Sequence, residues 1–324
     1  MAGPGAGGAS GSDVYDVYDV VVVGAGAAGL NAALVLARAR RRVAVVDAGQ
    51  PRNAPAEEMR GFLSRDGMPP AALLAVGREE VAGYGVDLID ARVDHIDPGF
   101  LVHLAGGPVL HARRVVVATG LRDGLPEIPG LAERWGRDVL HCPYCHAYEV
   151  RDRPLGVLGT HPGAVNHALL LRQWSDDVVF FPHTMDLADG EREQLAARGV
   201  RVVEGAVKWL VVDGDRLRGV ELAGGRVVPR EAVFVFPRMV PRDALLFGLG
   251  CARDGNGWVT TDRFGGTSVP GVWAVGNVAD PRAQVVTAAG QGSAAAFAIN
   301  HDLVEEDVRQ AVEAHRAAAT AVTV

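Results

Sequence analysis

The stretch Asp19-Val20-Val21-Val22-Val23-Gly24-Ala25-Gly26-Ala27-Ala28-Gly29 leaves this chain few ways to fold. Four consecutive valines are β-branched and apolar, so they predict a strand buried on both faces. The glycines that follow are spaced G-x-G-x-x-G, and a helical pattern runs on from about Ala27 to Arg40. A second apolar strand, Val43–Val46, ends at Asp47. Strand, glycine turn, helix, strand and acid, in that order, describe a dinucleotide-binding βαβ unit. Its glycines allow a tight turn, close approach of backbone to a pyrophosphate, and close packing of helix on strand; the acid meets a ribose. Gly24, Gly26, Ala27, Ala28, Gly29 and Asp47 are therefore candidate nucleotide contacts.

Length and composition bound what else the chain does. At 324 residues there is room for two domains, each with a core. A formal net charge of -7 argues against a nucleic-acid partner. No basic segment followed by an apolar run marks a secretory signal, and no segment reaches membrane-spanning length. Residues 1–14, dominated by Gly, Ala and Ser, read as a disordered tail. Three cysteines do not make a disulfide framework, and the expected setting is the cytoplasm.

Two of those cysteines lie in His141-Cys142-Pro143-Tyr144-Cys145-His146. A C-x-x-C is either a redox dithiol or half of a zinc site. Zinc needs two further ligands, and only Cys251 remains. Inert buried thiols fit less well, because Pro143 stiffens a turn that brings the sulfurs together and the flanking imidazoles favour thiolate. The pair reads as a reversible disulfide carrying two electrons.

The remaining chain supplies partners for it. A helix is expected from Pro69 to Tyr84, strand-like runs at Val86–Ile96 and Leu101–Leu104, and a buried strand from Val115 into Ala118-Thr119-Gly120. That small-residue end, taken with the glycine loop, points to flavin. A second βα start follows the C-x-x-C: strand Pro154–Leu158, turn Gly159–Ala164, helix Val165–Gln173, strand Val178–Phe181. Late in the chain come a strand within Gly271-Val272-Trp273-Ala274-Val275-Gly276-Asn277 and a small-residue helix from about Gln284 to Val304.

Taken in order, the glycine turn, Ala118-Thr119-Gly120, Cys142-x-x-Cys145 and Gly271–Asn277 resemble the low-molecular-weight thioredoxin reductases over about residues 18–310. These are FAD-dependent pyridine-nucleotide disulfide oxidoreductases. The resemblance implies an α/β fold with two Rossmann-like dinucleotide-binding domains. The FAD domain would be discontinuous, 15–122 and 242–316, with an NAD(P)H-type domain at 123–241 inserted and carrying the C-x-x-C. It also implies a homodimer. Gly24, Gly26 and Gly29, with Ala27 and Ala28, would line the FAD pyrophosphate, with Asp47 on the adenosine ribose. Asn53, Val93, Thr119 and Gly120 would be further FAD contacts. Gly276-Asn277 stands where the family has Gly-Asp on a ribityl hydroxyl, and Gln284-Val285 opens a helix toward the flavin. Cys145 would lie nearer the flavin, and Cys142 would be the interchange thiol.

Three departures redirect that expectation. The family's G-G-G-D-S-A nucleotide turn is here Gly159-Thr160-His161-Pro162-Gly163-Ala164, and its His-Arg-Arg motif is replaced by Phe181-Pro182-His183-Thr184. With two of the glycines that admit a pyrophosphate replaced by Thr160 and His161, and no arginine for a 2′-phosphate, NADPH use is not expected. The dithiol is C-P-Y-C followed by His146 rather than C-A-T-C followed by Asp. This pattern resembles the dithiol oxidases of the gliotoxin and holomycin type, which act on small dithiols with O2 as acceptor. His146 is then the candidate base, while a role for His141 stays open and Cys251 reads as a structural thiol. The alternatives are a reductase serving a thioredoxin-like protein, fed by NADPH or ferredoxin, and a flavin-binding redox sensor.

Overall fold

The structure, a computed structural model, describes residues 16–322. The tail expected at 1–14 lies outside them. Among the described residues no helix is long and apolar enough to cross a membrane.

Valine-rich segments build the first sheet. Its strands are β1 (Asp16–Val23), β2 (Val43–Asp47), β3 (Asp87–Asp90), β4 (Val93–Asp97), β5 (Leu101–Leu104) and β6 (Val109–Val117). Helix α1 (Ala27–Arg38) joins β1 to β2, and α2 (Pro70–Gly83) precedes β3. The order β3-β2-β1-β6 is parallel, and β5 and β4 continue it antiparallel. The single strand expected at Val86–Ile96 is therefore two strands. Ala91 N–H keeps the last bond of the ladder with β2, to Asp47 O at 3.0 Å, and also turns back to Ile89 O at 3.0 Å, a tight turn that ends β3 before β4 starts in the antiparallel arm. Val93, Ile96, Val102 and Leu104 of that arm pack with Val21, Val23, Val115 and Val117 on one face of the parallel strands.

Short β7 (Leu121–Gly124) leads to the middle of the chain, where β8 (Val139–Leu140), α3 (Pro143–His146), β9 (Leu155–Leu158), α4 (Ala164–Leu171), β10 (Val178–Phe181), α5 (Asp189–Ala197) and β11 (Arg201–Val202) follow. An antiparallel unit that the sequence reading did not contain, β12 (Val207–Asp213), β13 (Arg216–Leu222) and β14 (Val227–Pro229), precedes β15 (Ala232–Val235). The second sheet, β11-β10-β9-β15-β8, is parallel throughout. The chain returns through β16 (Arg238–Pro241), which pairs antiparallel with β7, so the outgoing and returning strands form one two-stranded ribbon.

After α6 (Ala244–Gly248), β17 (Val272–Ala274) rejoins the first sheet beside β6. Helix α7 (Val285–Val322) covers the opposite face together with α1. A Cβ on Gly292 would lie 2.0 Å from Ala28 O, so glycine there lets the two helix backbones touch. This helix runs well past its expected end at Val304. The charges that end the apolar pattern do not end the helix. Asp302, Glu306 and Asp307 pair with Arg114, Arg113 and Arg41, at 2.5 to 3.2 Å, and tie the polar extension to the sheet.

Candidate active site

One cavity of about 1220 Å³ runs from the glycine turn after β1 to the C-x-x-C and on to the turn after β9. Small-molecule pockets reach about 1000 Å³, so it has the size for a dinucleotide with space left over.

The glycines at its floor have three different duties. Gly24 holds φ +108°, and a Cβ on it would meet Ala118 O at 2.5 Å, so the turn closes only on glycine. A Cβ on Gly26 would meet nothing within 4 Å, so its backbone faces open cavity. Gly29 sits behind the cavity wall. It is buried beneath, where a Cβ would lie 1.9 Å from Gly24 O, and its duty is to seat α1 against the turn. Asp47 Oδ1 accepts from Ala25 N–H at 3.0 Å, which holds the acid beside the turn. These are the features that a nucleotide pyrophosphate and ribose require, so the residues present fit an FAD.

Ala27, Ala28, Asn53, Val93, Thr119, Gly120, Gly276, Asn277, Gln284 and Val285 all line the same cavity, as do Cys142, Cys145 and His146. Asn277 is already engaged. Its amide donates to Asp280 O and Ala283 O, each at 2.9 Å, and its Oδ1 accepts from Arg52 at 3.2 Å. Arg52 in turn grips Asp123 of β7 with two bonds, at 2.7 and 2.9 Å, linking the glycine-turn side of the cavity to the β7–β16 ribbon. The sequence reading did not single out Arg52, because the partners that give it meaning lie far along the chain.

Cys142 and Cys145 are joined as a disulfide with Cα atoms 5.2 Å apart. Cys142 caps α3, Pro143 opens it, and the Cys145 and His146 N–H groups both turn back to Cys142 O, at 3.1 and 3.2 Å. With both thiols paired to each other, the zinc alternative loses its ligands. Burial holds the His146 imidazole below its ordinary range; nearby Arg60 adds to this and Glu149 opposes it. His141 is pushed further down, to about 4, by burial and then by His167 and Arg52. Both are neutral at neutral pH. His146, less strongly depressed than His141, keeps the affinity for a proton better suited to a base. Cys251 is buried and bonds Thr267, consistent with a structural thiol.

The turn after β9 meets the cavity with packed side chains, one of them from after β15. His161 stacks on Phe236 with ring centroids 4.3 Å apart, and its Nδ1 accepts from Gly163 N–H at 3.0 Å. His141 and His167 pack on the same phenyl ring, at 5.3 and 5.1 Å. The second histidine of interest after β10, His183, spends its Nδ1 on Val207 N–H at 2.9 Å. His167 and Phe236 were not legible in the sequence. Phe236 follows directly on β15, where parallel strands present their ligand-binding ends, and that position was the available signal.

Two parallel-sheet domains of the dinucleotide type, with a disulfide opening on the cavity between glycine turn and second sheet, define a disulfide oxidoreductase of the nucleotide-dependent class. The chain belongs to the pyridine nucleotide-disulphide oxidoreductase family, whose pattern matches residues 18–292. It is 32% identical over 276 residues to thioredoxin reductase tcpT of Claviceps purpurea (strain 20.1), covering 79% of this chain and 85% of that one. To thioredoxin reductase sirT of Leptosphaeria maculans it is 30% identical over 313 residues, covering 89% and 95%. A crystal structure of HlmI superposes with TM-score 0.90 at 67% identity, covering 92% of this chain and 96% of that one.

Proposed function

We propose that this protein is an FAD-dependent dithiol oxidase that closes a disulfide in a small dithiol and passes the electrons to O2. The observation that carries the reading is the His161–Phe236 stack, which stands in the turn where a reductase admits NADPH. Residues 15–122 and 242–316 would bind FAD, and 123–241 would present the disulfide. Gly24, Gly26, Ala27, Ala28, Asp47, Asn53, Val93, Thr119, Gly120, Gly276, Asn277, Gln284 and Val285 would hold the cofactor. Bound FAD supplies the two-electron acceptor that returns the enzyme dithiol to disulfide.

The chain's own residues do the rest. Neutral His146 takes the proton of one substrate thiol. The thiolate attacks Cys142 Sγ, a substrate–enzyme disulfide forms, and Cys145 leaves as thiolate. The second substrate thiol then attacks the mixed disulfide, closing the substrate ring and releasing Cys142. Two thiols are oxidised and one enzyme disulfide is reduced; reoxidation by O2 yields hydrogen peroxide.

Flavin absorbance under anaerobic conditions tests this. Dithiothreitol is expected to bleach the protein rapidly, with colour returning on admission of air, while NADPH leaves it yellow. Rapid bleaching by NADPH would sink the oxidase reading. It would favour the second one, disulfide reduction, for which the names of the tcpT and sirT relatives speak. Bleaching by neither leaves a redox sensor or a ferredoxin-fed enzyme.

A homodimer belongs to the same reading. Phe297, Val304, Val308 and Val312 recur at helical spacing along α7, all exposed, with Phe297 70% so. An apolar stripe of that kind is suited to a second copy. Sedimentation is expected to give a dimer that Phe297→Glu weakens; a monomeric wild type refutes it. The cytoplasm remains the proposed setting, on the strength of a C-x-x-C accompanied by one buried thiol.

A further inference from the structure

The solvent face of the β4–β5 hairpin, far in sequence from the disulfide, carries His95, Asp97 and His103. His95 and His103 are direct cross-strand partners, and Asp97 lies two residues from His95, on the same face. The two imidazoles stack with centroids 4.0 Å apart and planes 12° apart. Asp97 lies between them in bonding terms, its Oδ2 2.7 Å from His103 Nε2 and its Oδ1 3.8 Å from His95 Nε2. All three donor atoms fall within 4.8 Å of one another. Among the described residues, Asp97 forms its ion pairs with these histidines alone.

The hairpin holds this face rigidly. Its other side, Val93, Ile96, Val102 and Leu104, is buried in the core. The turn is locked by Gly99 and Phe100, both at positive φ, with Phe100 N–H on Asp97 O at 2.9 Å. Phe100 is wedged so close to Gly271 that a Cβ there would be 2.7 Å from its ring.

We propose that His95, Asp97 and His103 form a binding site for one divalent transition-metal ion of the zinc class. Two imidazoles and a carboxylate select such ions over calcium or magnesium. Metal–ligand bonds of about 2.0–2.1 Å place tetrahedral donors about 3.3 Å apart, so the Asp97–His103 pair opens from 2.7 Å and the Asp97–His95 pair closes from 3.8 Å, both by small side-chain rotations. The metal takes Nε2 of each histidine and one oxygen of Asp97, and water fills the fourth position. The hydrogen that His103 Nε2 shares with Asp97 moves to Nδ1, so no net proton need leave.

The test is calorimetric titration of zinc chloride into the air-oxidised holoprotein, in which Cys142 and Cys145 are tied to each other. One saturable site per chain is expected. His95→Ala and His103→Ala should each weaken it by about tenfold or more, with His103→Gln as a milder check. His301→Ala, a histidine on α7 paired with Glu305, should leave the site unchanged. No saturable site in the wild type, or unaltered affinity in the hairpin variants, overturns the proposal.

Discussion

Cys145→Ser is expected to abolish dithiol oxidation, by on the order of 10⁴-fold or more, while leaving the fold intact. Cys142 then remains as a lone thiol that can be alkylated or form a mixed disulfide, but no partner sulfur takes the electrons onward. Two residues acting as one unit are not additive, so Cys142→Ser/Cys145→Ser should be no worse than either single change. The stability cost is bounded separately. The bridge spans a sequence separation of 3, and closing so small a ring contributes on the order of 2 kcal/mol by chain entropy. Stopped-flow absorbance with dithiothreitol, alongside peroxide release, reads the loss. Substantial residual turnover in Cys145→Ser would mean that substrate reaches the flavin without the disulfide.

His146→Ala should slow the reductive half-reaction by about 10²–10⁴-fold near neutral pH, and its pH profile carries the diagnosis. As the proposed base, His146 would act in the wild type only when deprotonated, so the rate is expected to rise with pH through its pKa and level off above. Burial places that inflection below the ordinary 6.5. The variant loses it and instead climbs toward the ionisation of the substrate thiol itself, near pH 8.5, where it approaches the wild type. An inflection near 4 would identify His141 as the base, since that is where its environment holds it. A residue that merely shapes the loop would lower the rate without moving the profile.

Local signals made the first half of the molecule readable. Strand, glycine turn and acid sit within one short stretch, and each glycine's duty follows from backbone geometry, with Gly29 packing the helix on the turn. What escaped reading depends on distant partners. The break at Ala91 is a turn back onto Ile89 where the ladder with β2 ends, and the length of α7 is set by arginines on β6 and after α1. Strands β12–β14 alternate polar and apolar residues too irregularly, with register shifts near Trp209 and Val212, to stand out. In the site, the histidines of the C-x-x-C were visible as a motif. The packing of His141, His161 and His167 around Phe236 was not, because four separate elements bring those rings together.

The close contact of α1 with α7 has a consequence for synthesis. The sheet face that α1 leaves open is covered by Ala295, Ala296, Ile299 and Leu303, and β6 receives β17 only at Val272–Ala274. As the chain leaves the ribosome, its first folding unit must therefore wait, half-covered, for nearly the whole polypeptide. The middle sheet, β8 to β15, has all its strands in hand much earlier. Completion order thus runs against sequence order: the part carrying the disulfide can settle first, and the cofactor's own cradle closes last.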